Sequence, residues 1–141
     1  MRIYIAAPFF TSEELETVAR LETLLEDRGH VPRSPRLFAG TFNHTPEDAA
    51  RIFIANEREL RACDLIVARI DDWDTGTTWE MGYGYALNIP VVAFTTMPAR
   101  GLNLMLSQSC DGLVHGFVEL ERVFRGGMYD KSRLKELTTS N

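Results

Sequence analysis

Short apolar runs alternate with longer amphipathic stretches along the 141 residues, the pattern of strands joined by crossover helices around a parallel sheet. The first run, residues 2–6, reads as a strand. Behind it, Thr11 and Glu14 have the spacing of a capping box, and Leu15, Val18, Leu21 and Leu25 recur at helical intervals until Gly29 offers a stop. A short second strand is expected at 30–32, running on into a loop punctuated by proline and glycine up to His44. Thr45, Pro46, Glu47 and Asp48 then supply a hydroxyl cap, a proline at the first helical position and acids in the first turn of a helix that should reach Ala62. Residues 64–70 are almost continuously apolar, which suits a strand covered on both faces. The rest predicts a loop over 71–78, a helix with Glu80 in its first turn, a strand over 90–94, a helical turn over 102–107, a strand over 112–114 and a helix over 117–124.

The expected fold class is therefore α/β, a Rossmann-like or flavodoxin-like three-layer sandwich with a mostly parallel five-stranded sheet. One domain should span 1–141, with 126–141 a polar C-terminal tail that has room for a short helix over 131–137. A composition 45% hydrophobic and 25% charged is that of a soluble globular protein, and no apolar run is long enough to span a bilayer, so a cytoplasmic protein without a membrane partner is expected. Fifteen Lys and Arg against twenty Asp and Glu give a net charge of -5, which disfavours a nucleic-acid polymer as partner. Cys63 and Cys110 lie apart without metal-ligand spacing, and His30, His44 and His115 are scattered, so no metal, disulfide framework or histidine triad is indicated. Glycine-rich phosphate motifs are missing too, which leaves a small, uncharged substrate and no cofactor.

In an open parallel sheet, ligands bind beyond the carboxyl ends of the strands, where residues 7–11, 71–80 and 95–103 should converge. Glu80 near a helix N-terminus would be kept ionised by the helix dipole, fit to act as nucleophile or base or simply to neutralise the helix end. Gly82 and Gly84 weaken that helix by roughly 1 kcal/mol each, which implies a backbone or ligand lying close by. Asp74 either forms a turn before Gly76 or holds a substrate hydroxyl. Asn56 shares a helical stripe with Ile52, Phe53 and Leu60 that should face the sheet, so its amide needs a partner there or in a ligand. Tyr4, inside the first strand, is either a core aromatic with a satisfied hydroxyl or one whose hydroxyl reaches toward Glu80, and Phe9 and Phe10 after Pro8 are either plain core residues or a stacking surface for a planar base.

Taken together, the residues Asp74, Gly76, Thr77, Glu80, Gly82 and Tyr85-Ala86, followed by Asn103-Leu104-Met105, resemble the nucleoside 2-deoxyribosyltransferase family. The likeness runs from IYIAAPFF to GLNLMLSQSCDGL. It implies that Glu80 attacks C1′ of a 2′-deoxynucleoside, that the base leaves, and that a second base takes the sugar from a covalent intermediate. By the same resemblance Tyr4 orients Glu80, Asp74 holds a sugar hydroxyl, and Pro8, Phe9, Phe10 and Gly76 help enclose the substrate. Asn103 would reach the site of a neighbouring subunit, which implies at least a homodimer, and Met105 would contact substrate. Many members carry an aspartate where this chain has Asn56. Three rivals share features with it: N-glycosidases of deoxynucleoside 5′-monophosphates, for which Arg33 and Arg36 are the available cations; phosphoribohydrolases with a similar GTxxE segment; and a nucleoside sensor that binds without turnover.

Overall fold

The structure is a computed structural model that describes residues 1–98 and 100–134. Strands β1 (Arg2–Ala6), β2 (Val31–Arg33), β3 (Leu65–Arg69), β4 (Val91–Thr95) and β5 (Gly112–His115) form one parallel sheet in the order β2-β1-β3-β4-β5. Every residue of β3 and β4 is buried, as continuous apolar runs require when helices cover both faces.

Helices α1 (Ser12–Asp27), α2 (Pro35–Phe38), α3 (Pro46–Ala62), α4 (Thr75–Ala86), α5 (Leu104–Ser109) and α6 (Gly116–Val123) complete the three layers. Side chains alternate across the strands and so build two cores. Ile3, Ile5, Val67 and Phe94 meet Val18, Leu21 and Leu25 of α1 and Leu120 and Val123 of α6. Tyr4, Ala6, Ile66 and Ala93 meet Leu60 of α3, Met81 of α4 and Leu106 of α5. The strand order reverses between β1 and β3, so the crevice a ligand would use opens there.

The capping box of α1 forms as expected: Thr11 Oγ1 accepts from the Glu14 amide at 3.1 Å, and Glu14 Oε1 accepts from the Thr11 amide at 2.9 Å. Other boundaries differ. The 31–44 segment read as a loop contains α2, with Pro35 at its start. The largest shift is in α4, which begins at Thr75 because Asp74 caps it, whereas the pattern had placed its start beyond Thr78. Of the stripe expected to face the sheet on α3, only Leu60 is buried; Phe53 is 54% exposed and packs edge-on against Trp79 instead.

Beyond α6, Tyr129 packs against the first core and Leu134 is buried in it, so part of the polar tail contributes apolar anchors. Residues 131–134 are helical, and residues 135–137 of the helix expected there lie outside the described residues. Among the described residues no helix is long and apolar enough to cross a membrane.

Candidate active site

The site starts with a helix pressed onto the sheet. A Cβ on Gly84 would stand 2.3 Å from Ile66 Cδ1 and 3.4 Å from Val91 Cγ2, so the glycine lets α4 approach β3 and β4 more closely than any other residue would. Gly82 has open space around it and plays no such part. With Thr77, Met81 and Gly84 buried on one stripe of α4, Glu80 is carried against β1, where the Tyr4 hydroxyl donates to Glu80 Oε2.

Glu80 therefore lies in the second turn of α4, not the first, and the helix dipole is not what governs it. Burial dominates and pushes its carboxyl up to about 7 from an ordinary 4.5. The hydrogen bond from Tyr4 pulls it down and the negative charge of Asp74 raises it further. Burial, reinforced by Glu80, drives the Tyr4 phenol far above its usual range, so Tyr4 acts as a donor and not as a base.

In place of the turn expected before Gly76, Asp74 forms the N-cap of α4, which leaves the second task open. Its Oδ2 accepts from the Thr77 amide at 2.8 Å and from Thr77 Oγ1 at 2.9 Å, capping α4, while the carboxylate stays close enough to Glu80 to be felt. Gly76, in the first turn, lies close beneath this cap, where an added Cβ would stand 3.2 Å from Asp74 Oδ2. The chain enters the cap through Trp73 at φ 49°, a left-handed conformation that a tryptophan holds only under constraint. The constraint is Arg100, whose guanidinium lies 4.9 Å from the Trp73 ring centroid and donates to the Asp71 carbonyl oxygen at 2.8 Å. A cavity of about 480 Å³ between Trp73, Met97, Pro98, Arg100 and Gly101 opens along this edge.

Asn56 is half-buried on α3, and its Oδ1 is buried without a hydrogen-bond partner among the described residues. Phe53 meets Trp79, and Glu57 Oε1 accepts from the Tyr83 hydroxyl at 2.7 Å, so α3 and α4 run side by side, joined by residues on either side of Asn56 in the sequence of α3. A buried acceptor with no donor is what an unfilled polar contact looks like.

Other expected residues are dispersed. Pro8 is buried, Phe9 packs on the core of the α1 and α6 side, and Phe10 is 78% exposed with its ring stacked on Phe9. Asn103 caps α5 by accepting from the Leu106 amide at 2.9 Å, and beside it Leu104 and Met105 are 75% and 72% exposed. Within one chain these residues do not meet Glu80 through any hydrogen bond or ring contact among the described residues. Sequence reasoning passed over Phe38, which packs beside Tyr4, and Asp71, a buried acid just past β3. A carboxylate at a strand end is a signal that could have flagged Asp71; nothing in the spacing points to Phe38.

A partly accessible carboxylate, held by a phenol at the switch point of a parallel sheet and free of metal-ligand neighbours among the described residues, can serve as a nucleophile, a base or a hydrogen-bond acceptor. A family match narrows the class to glycosyl-transfer enzymes. The chain belongs to the nucleoside 2-deoxyribosyltransferase family, whose sequence profile matches residues 3–116. It is similar in structure to the 2-deoxyribosyltransferase of Bacillus psychrosaccharolyticus, with 30% identity over 95% of this chain and 96% of that one and a TM-score of 0.80. A conserved protein from Enterococcus faecalis V583 shares the fold at 23% identity, TM-score 0.63, over 99% and 98% of the two chains. So does a Clostridium botulinum CMP N-glycosidase at 15% identity, TM-score 0.59, over 82% and 88%. Comparison with curated proteins gives no match.

Proposed function

We propose that this protein transfers the 2-deoxyribosyl group from one nucleobase to another through a covalent deoxyribosyl–Glu80 intermediate. The observation that carries this reading is the Tyr4 hydroxyl donating to a half-buried Glu80 carboxylate in a chain of this family. In the first step an oxygen of ionised Glu80 bonds to C1′ as the C1′–N bond breaks, and the base departs with the bonding pair and takes a proton from solvent. In the second, a nitrogen of another base attacks C1′, Glu80 leaves as carboxylate and the attacking base loses its N–H proton to solvent, so configuration is inverted twice. Tyr4 keeps the attacking carboxylate oriented, and Asp74, whose cap engages Oδ2, offers an acceptor to a sugar hydroxyl. Asn56 has no acidic proton to give, so its part is hydrogen bonding to the base.

Four features favour an uncharged nucleoside over a nucleotide. Asp74 repels a phosphate. The Phe10 and Thr11 amides, which a phosphate would seek at the start of α1, both donate to Glu14 Oε1, at 3.0 and 2.9 Å. Arg33 is paired with Glu59, and Arg36 with Glu22. We further place Asn103 and Met105 at the site of a second subunit, a role supported by the exposed Leu104 and Met105 beside them.

The test is incubation with deoxyinosine and free adenine, alongside deoxyinosine 5′-monophosphate as the alternative donor, with products separated by chromatography. New deoxyadenosine from the nucleoside is expected. Free sugar phosphate from the monophosphate, without exchange, would transfer the assignment to an N-glycosidase; ligand-induced stabilisation without any product would make the protein a sensor.

A further inference from the structure

Tyr4 holds Glu80, and Tyr4 is itself held from behind. Phe38, the last residue of α2, sets its ring against that of Tyr4 with centroids 6.3 Å apart and planes at 55°. The Arg33 guanidinium lies 5.2 Å from the same ring's centroid. Arg33 is the register partner of Tyr4 on the neighbouring strand, so the two side chains leave the same face of the sheet. Its Nε donates to Glu59 Oε1 at 2.7 Å, and Arg2 binds the same carboxylate, which fixes the cation in place. The aromatic ring thus touches both an anchored guanidinium and the tyrosine.

We propose that Phe38 is a positioning residue for Glu80 that acts through Tyr4: in contact with the anchored Arg33, its ring fixes the orientation in which the phenol donates to the carboxylate. The need is physical, because rotation of Tyr4 about its Cα–Cβ bond would carry the hydroxyl out of bonding range, and a ring packed beside it restricts that rotation. This role rests on the reading that ionised Glu80 attacks C1′. The charged or titratable groups that face the pair are Asp74 at the start of α4, Glu59 and Cys63 at the end of α3, and Arg33 on β2. If the phenol no longer donates, burial and Asp74 act unopposed and Glu80 ionises only at higher pH.

The experiment compares Phe38→Ala, Phe38→Leu and Phe38→Tyr by two readouts: titration of the Glu80 carboxyl by carbon NMR in the folded protein, and kcat/KM for base exchange against pH. Phe38→Ala is expected to move the Glu80 midpoint to higher pH. Its kcat/KM falls about tenfold at pH 6 and less than about twofold at pH 9, since the deficit is one of ionisation. Phe38→Tyr restores both readouts, and adding Tyr4→Phe to Phe38→Ala moves the midpoint no further. A folded Phe38→Ala with the wild-type midpoint, or a fall in kcat/KM equal at every pH, overturns the role. If Phe38→Ala does not fold, Phe38→Leu supplies the same two readouts, and a wild-type midpoint there overturns it. The NMR midpoint requires no substrate, so a shifted midpoint in a protein that exchanges no bases would refute the transferase reading and leave the positioning role standing.

Discussion

Two buried acids at the same end of the sheet, Asp71 and Glu80, are treated in opposite ways. Asp71, just past β3, accepts from Thr96 Oγ1 at 2.7 Å, from the Thr96 amide at 3.1 Å, from Arg69 Nε at 3.1 Å and from the Thr95 hydroxyl. Burial pushes its carboxyl up, but these donors outweigh burial and hold it below its ordinary range. Glu80 is largely buried as well, yet among the described residues its one donor is Tyr4, so burial, with a like charge nearby, keeps its carboxyl up at about 7. A carboxylate surrounded by donors is a fastener between β3 and β4; one given a single donor keeps lone pairs for chemistry and ionises within reach of neutral pH.

Substitutions at the two acids should therefore separate activity from stability. The largest expected effect is that of Glu80→Ala, which lowers base exchange by at least about a thousandfold in steady-state assays while circular dichroism shows the fold intact. Asp71→Ala leaves Arg69, which is 3% exposed, without its buried partner. It should cost about 3 kcal/mol in urea unfolding, and a loss below about 1 kcal/mol would remove the fastener role. Next in size, Tyr4→Phe should cut kcat/KM about tenfold or more at pH 6 and shift the rising limb of its pH profile, centred near 7 in the wild type, to higher pH.

Glu80→Gln reports on the same environment through stability. The folded-state pKa is raised from 4.5 to about 7, so the folded protein binds the Glu80 proton more tightly than the unfolded chain does. The stability that this gives is present in full below 4.5 and is lost as pH rises through about 7. Glu80→Gln should accordingly be more stable than wild type by about 3 kcal/mol at pH 8, with the difference nearly gone at pH 4. The smallest expected change belongs to Asn103→Ala: KM for the donor nucleoside rises about fivefold with kcat little altered if the residue binds sugar across a subunit boundary, and an unchanged KM argues against that place.

What the sequence made legible follows from the range of the forces involved. Local signals found β1, the capping box of α1 and the proline-led start of α3, because hydrophobic period and cap chemistry operate within one or two turns. The same reasoning misplaced the start of α4. Asp74 was seen as a turn former, and its capping of Thr77 decides where the helix begins. The error carried over to Glu80, assigned to a helix dipole when burial in the second turn controls it. Gly84 was rightly read as a point of close approach, yet what approaches is Ile66 of the sheet, a partner that only the tertiary fold reveals. Phe38 and the Arg33–Glu59 pair were invisible for that reason, since these contacts join β2, α2 and α3 to β1.

The most direct measurement is acid quenching of the protein with excess deoxynucleoside, followed by peptide mass spectrometry across residues 74–88. A mass increase of one deoxyribosyl group, located on Glu80 and discharged when free adenine is added before the quench, is the predicted result. Base exchange proceeding at the wild-type rate with no adduct on Glu80, or with the sugar attached elsewhere, would contradict it.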